Sequence, residues 1–386
     1  MFFFSIFVVL NTAICFPLST RTNSFDAEGA YKSVLNSTWE LFWNEDHQAF
    51  NLNDPSCSSN YSAPAVWDVA VAAKAFIDSG DISKSGKVLS ELYTYQSSSG
   101  WFNALHNQTK SYTDDNAQIV WALLAGYDLT KDDEHLKNAE RLVKLLQGQW
   151  STTGGIIWQT GSSYVASIST TEAALAAVRL YKYNQDASLL QFAQQCLNWM
   201  EQNMVDPSDG FYFDGINSNN GDVDRGKLSY TVGTAISSYA YLYSFTKNET
   251  FLNLANRKAT EAFATNGSNP FMNAGGGWNN GLKYVHLLFV GIADLIEVGG
   301  QSQYKDKLID QGKLVQEFDR LSQGVYADFE HVSSLSDHYT QFTGKSSGYS
   351  FNANNYCNSN TSSPKRSVLN QGSAAQIFYQ INRVSS

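Results

Sequence analysis

Residues 115–149 read DNAQIVWALLAGYDLTKDDEHLKNAERLVKLLQGQ, and two kinds of helix lie in that one stretch. Asp115–Tyr127 is apolar nearly all round, with Ile119-Val-Trp-Ala-Leu-Leu-Ala125 at its centre. Glu134–Gln149 is amphipathic: Leu136, Ala139, Leu142, Val143 and Leu146 form one stripe, and charged residues cover the rest. A helix apolar all round must be covered on every side, whereas an amphipathic helix needs cover on one.

The same alternation runs along the whole chain. Amphipathic segments at Asp26–Trp43, Ser83–Gln96, Ser188–Asn203, Glu249–Ala264 and Tyr304–Leu321 alternate with apolar ones at Pro64–Ile77, Thr171–Tyr183, Ser229–Phe245, Leu282–Val298 and Val368–Ile381. Six apolar and six amphipathic segments predict an all-α fold, an inner ring of helices wrapped by an outer ring in an (α/α)6 toroid. The length suits one closed ring, hence a single domain over 21–386 with a polar Ser/Asn-rich loop insertion at 322–367.

Loop lengths give the ring a functional face. Inner-to-outer connections are only a few residues long, while outer-to-inner connections are long, at 44–63, 98–113, 150–167, 204–228, 265–281 and 322–367. All the long loops therefore emerge on one side, where binding and catalysis concentrate. The starts of successive inner helices at Asp114, Thr170, Tyr230 and Leu282 are spaced by 56, 60 and 52 residues. Each follows a turn of glycine and aromatic residues, Gly100–Phe102, Gly154–Trp158, Gly210–Phe213 and Gly275–Trp278, which marks an internal repeat.

The first residues, Phe2-Phe-Phe-Ser-Ile-Phe-Val-Val-Leu10, have the length of a secretory signal core, so residues 1–20 are expected to be a signal peptide. Sequons at Asn36, Asn60, Asn107, Asn248, Asn266 and Asn360 agree with passage through the secretory route and predict exposed loops carrying glycans. The expected product is an extracellular or wall-associated, monomeric glycoprotein. Cys57 and Cys357 lie in loops near opposite ends and are expected to pair, with Cys196 a buried thiol. A formal charge of −10 speaks against nucleic acid or an anionic membrane as partner, and no cysteine or histidine spacing suggests a metal or cofactor.

Aromatic residues crowd the long loops, including Tyr61, Trp101, Tyr112, Trp158, Tyr164, Tyr212 and Trp278. Flat rings beside Asn, Asp and Gln suit the C–H faces and hydroxyls of sugars, so a glycan is the expected partner. Tyr112-Thr-Asp-Asp-Asn116 opens an inner helix on that face. Glycosidic cleavage needs a protonated carboxyl at the leaving oxygen and a second carboxylate, which retaining enzymes hold roughly 5–5.5 Å away. Adjacent like charges cannot both ionise easily, so one of Asp114 and Asp115 should keep its proton. Trp101, Tyr112, Asn116, Trp158, Asp214, Tyr230 and Trp278 are the candidate substrate contacts, and Glu172 is a weaker one.

Tyr-Thr-Asp-Asp-Asn-Ala-Gln-Ile-Val-Trp121 resembles the catalytic segment of glycoside hydrolase family 76, the endo-α-1,6-mannanases. Gly154-Gly-Ile-Ile-Trp-Gln159, Phe213-Asp-Gly215 and Tyr230-Thr-Val-Gly233 are similar to later segments of that family, in order over residues 26–300. The resemblance implies an (α/α)6 fold cutting α-1,6-mannan with retention, Asp114 as nucleophile and Asp115 as acid/base. Tyr230-Thr-Val-Gly stands where the family has Tyr-Asn-Gln-Gly, and Gln159 where a second Trp is usual. Alternatives on the same scaffold are a non-hydrolytic glycan-binding protein, a cell-wall transglycosidase, an inverting glycosidase and a polysaccharide lyase.

Overall fold

Twelve α-helices form among the described residues of the computed structural model, which are 25–385 apart from 53, 55, 56, 59, 268, 273–275, 279, 321–324 and 327–365. The inner helices are α2 (Val66–Asp78), α4 (Thr113–Thr130), α6 (Ser167–Asn184), α8 (Ser229–Thr246), α10 (Leu282–Glu297) and α12 (Val368–Ser385). Each packs on the next, and α12 packs back on α2, so the ring is closed. The outer helices are α1 (Ala27–Phe42), α3 (Ile82–Tyr93), α5 (Asp133–Gln147), α7 (Ala187–Asn203), α9 (Glu249–Ala262) and α11 (Lys305–Phe318). Most lean on the inner helix just before them, while α1 covers α12, so the first helix of the chain seals the last. This is the (α/α)6 toroid that the alternation predicts.

The closed end of the ring is built by a repeat. Inner helices α4, α6 and α8 end on Lys131, Gln185 and Lys247, each in the left-handed region with its N–H on the carbonyl of Tyr127, Tyr181 or Tyr243. The next residue, Asp132, Asp186 or Asn248, caps the following outer helix with its side chain. A left-handed residue joined to an N-cap turns the chain back in one step, which explains the short connections. At the same end a buried ion cluster crosses the ring: Asp294 of α10 accepts from Arg179 of α6 at 2.9 Å and from Arg383 of α12 at 2.6 Å. Burial alone would raise Asp294, but the two guanidiniums outweigh it and hold its carboxyl below the usual range.

Close approach does the rest of the ring packing. A Cβ on Gly233 of α8 would lie 2.1 Å from the Leu287 carbonyl of α10, and one on Gly291 would lie 2.1 Å from the Gly233 carbonyl. The α8–α10 crossing therefore needs glycine on both sides.

The open end carries a second repeat. Each outer helix from α3 to α11 runs into a tight turn closed by a bridge: Gln96 with Phe102, Trp150 with Ile156, Val205 with Tyr212, Met272 with Trp278 and Arg320 with Tyr326. The glycine expected in these turns sits at positive φ at Gly100, Gly154 and Gly210. Cys57 is disulfide-bonded and Cys196 is a buried free thiol, while Cys357 lies outside the described residues. Asn60, Asn107, Asn248 and Asn266 are exposed, as is Asn36, which stands in α1 and not in a loop. Asn360, the signal segment and most of 322–367 fall outside the described residues. No helix among the described residues is long and apolar enough to cross a membrane.

Candidate active site

The turn repeat decides which aromatic residues reach the open face. Its bridging residue points inward, so Phe102, Ile156, Tyr212 and Tyr326 are all buried. Polar residues in the inner helices bind its backbone: Asn116 accepts from Phe102 N at 2.9 Å and donates to the Phe102 carbonyl at 3.0 Å, and Thr170 accepts from Ile156 N at 2.9 Å. Asn116 is thus wholly buried and occupied, a strut and not the substrate contact that its place beside the aspartates suggested. Trp101 is likewise buried in the core. Trp278 donates its Nε1–H to the Ala262 carbonyl at 2.7 Å and packs on Phe263 and Phe289. These three expectations are corrected: Trp101 and Asn116 are buried, Trp278 is half-buried with its indole N–H occupied, and none of them lines the cleft.

What remains on the open face converges. A cleft of about 800 Å³ is lined by Tyr112, Asp114, Asp115, Trp158, Tyr164, Asp214 and Tyr230, together with Trp67, Gln118, Asp224 and Tyr284, which the sequence reading did not single out as contacts. Among the described residues, two of the four large exposed apolar side chains, Leu105 and Trp158, stand at this cleft. Four aspartates face it and Lys110 is the one lysine or arginine in its lining, so it suits a neutral, hydroxyl-rich ligand better than a polyanion.

Local structure fixes each wall. Thr113 anchors the start of α4 to the neighbouring loop, its N–H on the Trp158 carbonyl at 2.9 Å and its hydroxyl on the Ile157 carbonyl at 2.9 Å. That anchor sets the Trp158 indole against Tyr112, at a ring distance of 4.7 Å, and lets its Nε1–H donate to Asp114 Oδ2 at 3.0 Å. Strands β3 (Tyr164–Ala166) and β4 (Gly215–Asn217) pair antiparallel, with Ala166 opposite Gly215. The pairing brings the Tyr164 hydroxyl to Asp214 Oδ2 at 2.8 Å. A Cβ on Gly215 would lie 2.6 Å from the Val165 backbone carbonyl as well as 2.4 Å from that hydroxyl, so glycine is required there. On the far side Tyr230 meets Tyr284 edge-on at 5.0 Å, and Tyr284 stacks on Trp67 at 6.3 Å.

The adjacent aspartates are electrostatically unlike. Burial raises Asp114 to about 6, while the Trp158 N–H and the backbone amides at the helix start pull it back down. Asp115 receives no such donor. Burial, the charge of Asp114 and the charge of Asp68 all push it well above the carboxylate range. Asp68, in the first turn of α2, is itself raised to about 6 by burial. Asp114 therefore gives up its proton more readily than Asp115, which burial and two neighbouring carboxyls keep protonated. Among the described residues no group of three or more His, Cys, Asp or Glu side chains is arranged to hold a metal ion.

The sequence profile of glycosyl hydrolase family 76 matches residues 27–309. The meiotically up-regulated gene 191 protein of Schizosaccharomyces pombe is 29% identical over 203 residues, 46% of this chain and 46% of that protein. A mannan endo-1,6-alpha-mannosidase of Candida albicans is 28% identical over 132 residues, 30% of this chain and 28% of that protein. Each match spans less than half of its relative's length. The fold is that of an inactive Salegentibacter alpha-1,6-mannanase variant, with two adjacent aspartates replaced by asparagine, in complex with alpha-1,6-mannotriose. The two superpose with a TM-score of 0.72 at 18% identity, over 93% of this chain and 100% of that one.

Proposed function

We propose that this chain, which belongs to glycosyl hydrolase family 76, is an endo-acting glycoside hydrolase that cuts α-1,6-linked mannan with retention of configuration. The observation that carries the reading is the unlike pair of Asp114 and Asp115 at the floor of an aromatic-walled cleft. Asp114, oriented by Trp158, attacks the anomeric carbon, and the glycosidic bond breaks as Asp115 gives its proton to the leaving oxygen. The covalent glycosyl–Asp114 ester is then opened by water, from which Asp115 takes a proton, restoring both groups. Trp158 and Leu105 offer apolar surface to C–H faces, and Asp214, held by Tyr164, offers a carboxylate to sugar hydroxyls.

Support comes from the neighbours. The Salegentibacter protein that binds alpha-1,6-mannotriose is inactive with two adjacent aspartates replaced, and the Candida relative bears the name of the proposed activity. The expected N-terminal signal and the sequons support a secreted, monomeric glycoprotein acting at a cell wall or outside the cell. Incubation with unbranched α-1,6-mannan, with products sized over time, tests the reading. A rapid fall in mean chain length with little free mannose supports it. Release of mannose alone, or intact polymer, contradicts it.

A further inference from the structure

On the inner helix next to the aspartate pair, and within reach of both their charges, lies a carboxyl that the mechanism above does not use. Glu172 of α6 is wholly buried, and its Oε1 accepts from Gln118 Nε2 at 3.0 Å. Gln118 stands on α4, one turn below Asp114, and lines the cleft floor. The other oxygen, Oε2, is buried without a hydrogen-bond partner. So is Oδ1 of Asp114, the oxygen that Trp158 leaves open. Two orphan carboxyl oxygens on adjacent inner helices are costly unless a proton lies between them, because two carboxylates cannot donate to each other.

The surrounding charges fix where that proton rests. Asp114 and Asp115 of α4 both act on Glu172, the Tyr230 phenol approaches from α8, and no cation among the described residues offsets them. Desolvation and the neighbouring acids disfavour a further anion beside Asp114. We propose that Glu172 is a positioning residue of this site: it stays neutral through turnover and donates its carboxyl hydrogen, directly or across one water, to the Oδ1 side of Asp114. Asp114 is then held by the Trp158 indole and the Glu172 carboxyl, beside the backbone amides of the helix start. It stays anionic, with its orientation fixed, beside an Asp115 that remains protonated. Glu172 transfers nothing, and its proton is the same before and after the reaction. The role assigned to Asp114 rests on the proposed function. The proton on Glu172 does not.

Two measurements separate the two claims. In the resting wild-type protein labelled with carboxyl-¹³C glutamate, NMR against pH needs neither a variant nor substrate. It should show a second glutamate, besides Glu91, still protonated at pH ~7, and Glu172→Gln should remove that signal. If no such signal exists, the proposal is overturned whatever the enzyme's activity. In the pH profile of kcat/KM on α-1,6-mannan, Glu172→Met removes the donor. It should move the acid limb upward by about one pH unit and lower kcat/KM near neutrality roughly tenfold. Glu172→Gln still carries an N–H donor and should keep the acid limb close to its wild-type position. If Met and Gln lower the melting temperature alike while neither moves the acid limb, Glu172 is only a core strut and the proposal fails. If Gln lowers the acid limb by a unit or more, Glu172 is charged and the proposal fails equally.

Discussion

At the scale of single residues, the site depends on two neighbouring aspartates being treated differently. Asp114 sits among N–H donors at a helix start, and Asp115 sits among burial and negative charge. Replacing either with asparagine changes no volume, so Asp114→Asn and Asp115→Asn should fold with wild-type circular dichroism. Each should lose activity by roughly 10²-fold or more, and a variant within tenfold of wild type would remove that residue from the mechanism. The pH dependence follows with a definite sign. Activity requires Asp114 deprotonated, so kcat/KM should rise as pH climbs through about 6. It requires Asp115 protonated, so the rate should fall again at higher pH, where that raised group finally ionises. The two groups interact, so both limbs belong to the pair. A profile flat through the acid range, measured over buffers of equal ionic strength, would contradict this account.

At the scale of elements, outer helix α3 shows how the open face is tied down. Glu91 is buried in it, and its Oε1 accepts from the Phe50 N–H of β2 (Ala49–Phe50) at 3.0 Å. Burial pushes this carboxyl up to about 8. The folded state then holds a proton that the unfolded chain releases in the ordinary carboxylate range. Its contribution is complete below that range and is lost as pH rises toward 8. Glu91→Gln should therefore flatten the decline in stability between pH 5 and 8, read as the urea midpoint at each pH. An equal slope in both proteins would contradict the assignment. The elements were legible where periodicity is strong: each expected inner and outer segment corresponds to a helix. Boundaries were less so. Helix α6 begins at Ser167 and not Thr171, because β3 runs straight into it and Ser167 N–H binds the Asp214 carbonyl at 2.8 Å, a contact between loops far apart in sequence. The aspartate pair, Tyr112, Trp158, Asp214 and Tyr230 could be read from loop position and chemistry. Trp67, Gln118 and Tyr284 escaped because a polar or aromatic residue near the start of an apolar helix looks like core. The available hint was Gln118, an amide inside an otherwise apolar run. Trp101 and Trp278 misled for the opposite reason, since a turn repeat that packs its own aromatics looks like a display of sugar platforms, and Asn116 misled because an amide that braces the turn backbone looks like a sugar contact.

At the scale of the whole molecule, ring closure is what keeps the cleft walls together. The closure depends on α12, joined to α6 and α10 through Asp294, Arg179 and Arg383 at the end away from the cleft. Asp294→Ala leaves two guanidiniums without their carboxylate in a buried place, which should cost about 3–5 kcal/mol of stability. Urea unfolding tests this, and a loss below about 1 kcal/mol would mean that the cluster is dispensable. Length of chain, alternating helices and a family profile over residues 27–309 agree on this architecture, but the central chemical claim is narrower: Asp114 makes a covalent bond to the sugar while Asp115 handles the proton. The most direct test is ¹H NMR of the anomeric protons during the first minutes of digestion of α-1,6-mannan, before mutarotation. Retention through a glycosyl–Asp114 intermediate predicts new reducing ends that appear first in the α configuration. New ends that appear first as β would mean single displacement by water, and would contradict the role given to Asp114.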